Sequence, residues 1–311
     1  MEKAIAMSEA VKNIGVAVIA AGARGRGVTK NLLRDGKNVV IKSVYDPDLD
    51  LCRQAVELWN SKDTLICDSY QQAINTPGVD WVLVFSPNAF HKEHILAAFT
   101  AGKNVFSEKP LATTIEDCQA IFDAHKRCGL VFATGFVLRY APIYRKVKEL
   151  LDQGAIGKLL SIDANENITP DHGAYIMKNW RRHTKFAGPH ILEKCCHDLD
   201  LINWFTGSVP GQAAAFGGLD LFIPENKYLM NRFKRSDGEY FFKGWDDPHG
   251  ENNPFESNKD LMDTLVAILK YRNGVKVQFQ ATMANAIPER RMYFSGSEGT
   301  MIVELYTSTL R

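Results

Sequence analysis

Asn104-Val105-Phe106-Ser107-Glu108-Lys109-Pro110-Leu111 decides how this chain is read. Val105 and Phe106, with the apolar residues that lead into them, predict a short buried strand. Pro110 has no N–H for a ladder and drives Lys109 toward an extended conformation, so the strand ends there. Glu108 and Lys109 therefore stand at the carboxyl end of a strand, the edge where open α/β sheets collect ligands. A lysine partly withdrawn from water at that edge can donate or accept a proton. Taken alone, the tripeptide more often marks a solvated lysine. Its surroundings reverse that.

Upstream, Ile14 to Ile19 is a continuous apolar run, the pattern of a parallel strand buried on both faces. It enters Ala20-Ala21-Gly22-Ala23-Arg24-Gly25-Arg26-Gly27, and Val28 to Arg34 reads as a helix. A strand, a glycine-rich turn and a helix set free N–H groups and a helix dipole against a diphosphate. The usual G-x-G-x-x-G stands here as Ala20-x-Gly22-x-x-Gly25. Alanine is acceptable at the first position if the turn avoids positive φ, and Gly22 is kept where backbone meets pyrophosphate. So degenerate a motif fits an ordinary strand–helix turn equally well. Gly22, Ala23 and Arg24 are the diphosphate candidates, Arg24 being either a phosphate contact or a solvated side chain. A second strand, Val39 to Tyr45, ends in Asp46, about 20 residues past Gly25, the spacing at which a carboxylate meets adenosine ribose hydroxyls. No arginine follows it to welcome a 2′-phosphate, which favours NAD over NADP. Asp46-Pro47 as a plain helix-starting turn is compatible with the same geometry.

Further short strands at 64–66, 81–85 and 130–134 alternate with helical patterns at 49–59, 69–74, 91–100 and 115–128. The strand ending at Phe85 again delivers polar groups, in Ser86-Pro87-Asn88 and then His91. This alternation predicts βαβ units and a doubly wound parallel sheet.

The second half reads as helices and antiparallel strands. It has an amphipathic helix at 143–151 and strands at 159–168, 213–217, 261–271, 275–281, 291–294 and 299–304. A tight hairpin falls at Arg272-Asn273-Gly274. Within Gly188 to Phe205, one helix would carry Glu193, His197, Asp200 and Trp204 on a single face. A carboxylate one turn from an imidazole can hold its tautomer and raise its basicity. A lone helical histidine is nevertheless more often structural. His190, Cys195, Cys196 and His197 invite a zinc reading, but adjacent cysteines diverge by about 100° on a helix and suit buried thiols better. The stretch 218–259 reads as a loop-rich insertion that either closes over a substrate with Tyr228, Arg232, Trp245 or His249 or serves a subunit contact. The expected domains are 1–138 for the dinucleotide and 139–311 for substrate and assembly.

At 311 residues with 45% apolar and 23% charged side chains, this is the composition of an ordinary globular protein of two domains. Lys plus Arg number 37 against 36 Asp plus Glu, so charge gives no reason to expect nucleic acid or an anionic membrane. No apolar run approaches the roughly 18 residues that span a bilayer, and residues 1–13 lack a signal-peptide apolar segment. Six scattered cysteines suggest free thiols in a reducing cytoplasm.

These pieces together resemble the Gfo/Idh/MocA oxidoreductases, the glucose–fructose oxidoreductase and inositol dehydrogenase group. The resemblance rests on Ala20-x-Gly22-x-x-Gly25, Ser86-Pro87-Asn88 with His91, Ala101-Gly102-Lys103-Asn104-Val105 running into Glu108-Lys109-Pro110, and Arg139-Tyr140. It continues through Gly154-x-x-Gly157-Lys158, Trp180-Arg181, the His197 helix and Gly296-x-Glu298-Gly299-Thr300. It implies a Rossmann domain followed by an α+β domain on an open, mostly antiparallel sheet, NAD(P)-dependent hydride transfer on a sugar, cyclitol or related polyol, and a homo-oligomer. It implies Lys109, His197 and Glu193 as catalytic groups, with Glu193 standing where aspartate is common. Cofactor contacts are implied for Gly22, Ala23, Arg24, Asp46, Ser86, Pro87, Asn88, His91, Glu108, Lys109, Trp180 and Arg181, and no metal. Members commonly extend past the position matching Arg311, so part of a sheet edge or lid is expected beyond this sequence. A non-catalytic NAD-binding regulator and a redox-neutral, NAD-retaining glycosidase of the same fold are the alternatives.

Overall fold

The computed structural model describes residues 13–247 and 249–311. The chain divides into two compact units, Met1–Gly135 and Phe136–Arg311.

In the first unit the strands and helices alternate: Ile14–Ile19 (β1), Ala23–Asp35 (α1), Val39–Tyr45 (β2), Leu49–Leu58 (α2), Leu65–Ile66 (β3) and Tyr70–Asn75 (α3). Then follow Trp81–Val84 (β4), His91–Thr100 (α4), Asn104–Ser107 (β5), Ile115–Cys128 (α5) and Phe132–Thr134 (β6). The six strands are all parallel in the order β3-β2-β1-β4-β5-β6. The chain winds outward from β1 to β3 and returns at β4, which makes the β1/β4 boundary the switch point. Val16, Val18 and Ile41 pack on one face and Ala17, Ile19 and Val84 on the other, so both faces are covered and the strands read as unbroken apolar runs. Side chains cap the helices where the sequence offers them: Asp48 accepts from the N–H groups of Asp50 and Leu51, and Thr114 from that of Asp117.

Two expectations about the first turn are corrected. The helix opens at Ala23 rather than Val28, directly behind Gly22. Ala20 does adopt positive φ, at 74°, so alanine sits in the left-handed region that the missing glycine would occupy freely.

The second unit contains Pro142–Asp152 (α6), Leu159–Asn167 (β7), Pro170–Lys178 (α7), Thr184–Ala187 (α8), His190–Glu193 (α9), Cys196–Thr206 (α10) and Pro210–Gly218 (β8). Thr264–Tyr271 (β9), Lys276–Thr282 (β10), Arg291–Gly296 (β11), Thr300–Glu304 (β12) and Thr309–Leu310 (β13) complete it. The sheet order is β13-β12-β11-β7-β10-β9-β8, antiparallel throughout except for the β7–β10 pair. One face packs Ile162, Val277, Phe279 and Phe294 against Tyr144 and Val147 of α6 and Leu201, Ile202 and Phe205 of α10. On the other face Phe216 and Ile268 are 79% and 66% exposed. The 218–259 stretch is more ordered than a loop. It has a 3-10 helix at Pro224–Asn231, and Phe222, Phe242 and Phe255 form an aromatic core with Ile176 and Met177 of α7. Buried Asp263 pins its base by accepting from the backbone N–H groups of Asp220, Leu221 and Phe222 at 2.8–3.0 Å.

Candidate functional site

The carboxyl edge of the first sheet gathers most of the expected cofactor residues. Gly22 is the N-cap of α1, which no side chain caps, and a Cβ placed on Gly22 would point into open space. Gly25 is required for a different reason: a Cβ there would lie 2.3 Å from the Ala20 carbonyl oxygen. Asp46 closes the turn from below, accepting the Ala21 N–H on Oδ2 at 2.8 Å and the Asp48 N–H on Oδ1 at 2.9 Å. An open helix N-terminus with a carboxylate at the neighbouring strand end suits a dinucleotide, the N–H groups taking its diphosphate and Asp46 its ribose hydroxyls. The chain thus fits NAD on its own geometry.

Arg24 and Glu108 meet each other here. Arg24 donates from Nε to Glu108 Oε1 at 2.7 Å, and its Nη2 lies 2.6 Å from the same oxygen. Because β4 lies between β1 and β5, this ion pair bridges over the β4 strand end. Ser86 donates to or accepts from His94 Nδ1 at 2.9 Å and, like Asn88, is buried. Lys109 remains partly exposed beside Glu108, whose Oε2 accepts the Lys109 N–H at 3.1 Å.

His91 does not belong among the cofactor contacts. It is wholly buried, with Nδ1 2.8 Å from the Pro110 carbonyl oxygen and Nε2 2.8 Å from that of Ser86. Burial pushes its pKa down. It ties the Ser86 turn to the Pro110 turn, and its ring has no surface left for a ligand.

In the second unit the expected single helix is broken. α9 ends at Glu193 and α10 starts at Cys196, with Lys194 between them at φ −107° and ψ −52°. Glu193 and His197 therefore stand on different helices, and the i, i+4 argument for Glu193 orienting His197 fails. Glu193 is buried and accepts from Arg181 Nε at 2.9 Å. Arg181 also donates to Asn179 Oδ1 at 2.9 Å and to the Tyr175 hydroxyl at 3.3 Å, and lies 4.3 Å from the Trp180 ring centre. Of Trp180 and Arg181, both expected at the cofactor, Arg181 holds Glu193 and Trp180 lies against the Arg181 guanidinium. Asp200 and Trp204 do share a face: Arg139 donates to both Asp200 oxygens at 2.6 and 2.7 Å and stands 5.7 Å over the Trp204 ring. His197, partly exposed in the first turn of α10, meets the Phe136 ring edge-on at 6.1 Å.

The sequence missed a buried charge cluster under this break, formed by Glu166, Lys194, Asp198 and Arg290. Glu166 ends an alternating strand pattern on the buried side, the only signal that an acid there needs partners. A different set from the one weighed for zinc comes together: single ligand atoms of Glu166, His190 and Cys195 lie within 4.8 Å of one another. Arg290 Nη1 and Lys194 Nζ already flank Glu166 Oε1 at 3.3 and 3.6 Å, and burial drives the Cys195 thiol far above its usual range. Two cations and a protonated thiol make this a salt cluster rather than a metal centre.

Comparison with known proteins supplies the remaining link. Residues 14–136 match the Gfo/Idh/MocA oxidoreductase family's NAD-binding Rossmann fold, and residues 148–311 match its C-terminal alpha/beta domain. The chain is 39% identical over 193 residues to Inositol 2-dehydrogenase 3 of Saccharopolyspora erythraea, covering 61% of this chain and 53% of that protein. It is 25% identical over 240 residues to the 2,7-anhydro-N-acetylneuraminate hydratase of Mediterraneibacter gnavus, covering 76% of this chain and 62% of that one. The crystal structure of myo-inositol 2-dehydrogenase from Lactobacillus plantarum shares the fold, with a TM-score of 0.74 at 24% identity over 94% of this chain and 76% of that chain. The chain spans between 47% and 62% of the length of the first curated relatives it matches. With a family match to each unit and the nucleotide edge built as described, the chain belongs to the Gfo/Idh/MocA oxidoreductase family.

Proposed function

We propose that this protein transfers a hydride between NAD and a hydroxyl-bearing carbon of a sugar, cyclitol or related polyol. The observation that carries the reading is the strand edge of the first unit, where an open helix N-terminus at Gly22, the Asp46 carboxylate and the Glu108-Lys109 pair stand together on one sheet. Gly22 and Ala23 offer N–H groups to the diphosphate, and Arg24 joins them when it leaves Glu108. Asp46, its two oxygens held by backbone N–H groups, takes ribose hydroxyls and disfavours a 2′-phosphate, favouring NAD over NADP. Ser86, Pro87, Asn88 and Glu108 serve the nicotinamide end. When bound, NAD supplies the hydride acceptor. His197 takes the proton of the substrate hydroxyl, Lys109 holds that oxygen and relays the proton, and Glu193 with Arg181 fixes charge on the substrate side.

Likeness to an inositol 2-dehydrogenase supports a polyol substrate, and likeness to an anhydro-sugar hydratase supports a second reading, a redox-neutral reaction that oxidises and re-reduces within one turnover. Incubation with NAD and a panel of inositols, sugars and sugar acids separates them. NADH absorbance supports the dehydrogenase, product without NADH the redox-neutral enzyme, and neither one a regulator.

The exposed face of the second sheet supports a homo-oligomer. Phe216 pairs across from Val266 and Ala214 from Ile268, setting apolar side chains side by side on adjacent strands, and a second copy of the chain is the occupant we assign to them. Six free cysteines support a cytoplasmic setting. Among the described residues no helix is long and apolar enough to cross a membrane.

A further inference from the structure

His197 lies between two tethers that lead to the same buried pair of charges. Before it, Lys194 reaches Glu166 Oε1 at 3.6 Å. Directly after it, Asp198 takes a two-pronged grip from Arg290, Nε to Oδ1 at 2.8 Å and Nη2 to Oδ2 at 2.7 Å. The third arm of Arg290, Nη1, lies 3.3 Å from Glu166 Oε1 and closes the circuit. Asp198 and Glu166 are wholly buried and Arg290 nearly so. The four groups carry two positive and two negative charges, so the cluster is neutral as a whole.

Arg290 is itself anchored to the sheet. Its N–H donates to Glu304 Oε1 at 3.1 Å and its carbonyl accepts from the Leu305 N–H at 3.1 Å, fixing it at the margin of β11 and β12. Glu166 belongs to β7, the neighbour of β11. The circuit therefore fastens the start of α10 to the sheet at the point where the chain breaks away from α9. Buried ion pairs contribute little stability over an apolar filling, whereas a bidentate guanidinium–carboxylate pair fixes both distance and angle. Leu201, Ile202 and Phe205 pack α10 on the sheet through non-directional apolar contact, which specifies angle less sharply than a bidentate pair does. Asp198, held by that fork, is the residue directly after His197.

We propose that Arg290 is a positioning residue, which through Asp198 sets the direction of the His197 imidazole. The inference rests on the assignment of His197 to proton transfer. The test uses the full chain with Arg290→Lys, which keeps the charge but loses the planar fork. Three readouts apply: kcat and KM for the polyol, the dissociation constant for NAD, and the His197 ring signals in a ¹H–¹⁵N spectrum, assigned by their loss in His197→Gln. The expected result is a kcat lowered about 10- to 100-fold, as displacement of a reacting group by about 1 Å costs. NAD affinity should be unchanged, KM should move less than kcat, and the His197 signals should shift.

A folded Arg290→Lys protein with parental kcat and parental His197 signals overturns the proposal. Should Arg290→Lys not fold, the neutral pair Asp198→Asn/Arg290→Gln removes the tie without stranding a buried charge, and the same readouts decide. Loss of the folded state in both assigns the cluster to stability alone and also overturns it. If the parent protein turns over no polyol, the functional reading fails, and the His197 spectrum still decides the positioning.

Discussion

His91 and His197 look alike on paper, each a histidine beside a stretch that carries site residues, yet their surroundings differ. Both ring nitrogens of His91 face backbone carbonyls at 2.8 Å and no part of it reaches solvent. His197 stays partly exposed, supported on one edge by Phe136. A buried imidazole spent on two carbonyls can fasten turns together, and an imidazole in touch with solvent can exchange a proton. Side-chain identity and spacing cannot separate these roles, because the difference lies in what the rest of the fold brings to each nitrogen.

The sharpest way to break this contrast is to remove each ring in turn. His197→Gln should lower kcat by about 10²–10⁴-fold, the usual contribution of one acid–base group, with the melting temperature little changed. His91→Phe should do the opposite, leaving turnover of the folded fraction within about tenfold while destabilising the protein by about 1–3 kcal/mol, since the buried carbonyl that takes the ring's N–H loses its donor. Thermal melts and steady-state rates on both variants check this. A stable His91→Phe protein with no turnover would reverse the two roles.

Acid titration sharpens it further through two other histidines, His94 buried and His172 partly so. Burial holds His94 and His172 down to about 4, while an unfolded histidine titrates near 6.5. Both rings stay neutral in the folded protein where the unfolded chain takes up protons. Their stabilising effect is therefore complete above pH 6.5 and is lost as pH falls toward 4. Denaturant midpoints measured across that window should fall with acid, and His172→Gln should flatten the slope.

The smallest expected effect belongs to Ala20. Its φ of 74° costs about 1 kcal/mol that glycine would not incur, partly offset by the greater freedom of glycine in the unfolded chain. Ala20→Gly should be neutral to slightly stabilising in a chemical melt, whereas Ala20→Val should be clearly destabilising.

The first unit was largely legible because its signals are local. Apolar runs such as Ile14–Ile19 need only both faces covered, and Pro110 marks its strand end through its own missing N–H. Asp46 could be singled out because its distance from the glycine turn is set locally by one strand–helix–strand unit. The second unit hid what depends on distant partners. α7 follows from Pro170 at its first turn and from packing against Phe222 and Phe255, which lie far along the chain. The break between α9 and α10 coincides with tethers to Glu166 and Arg290, and no periodicity in 188–206 announces it. The Arg181–Glu193 bond joins two helical turns 12 positions apart, and the Arg24–Glu108 pair joins residues 84 positions apart.

Lys109 and His197 are proposed to work on one substrate hydroxyl, and NADH formation by Lys109→Met, His197→Gln and the double variant tests this most directly. Each single change should lower kcat by about 10²–10⁴-fold with NAD binding retained, and the double variant should be scarcely slower than the worse single, because groups acting as a unit are not additive. Single variants that keep the parental rate, or losses that multiply in the double, would contradict it.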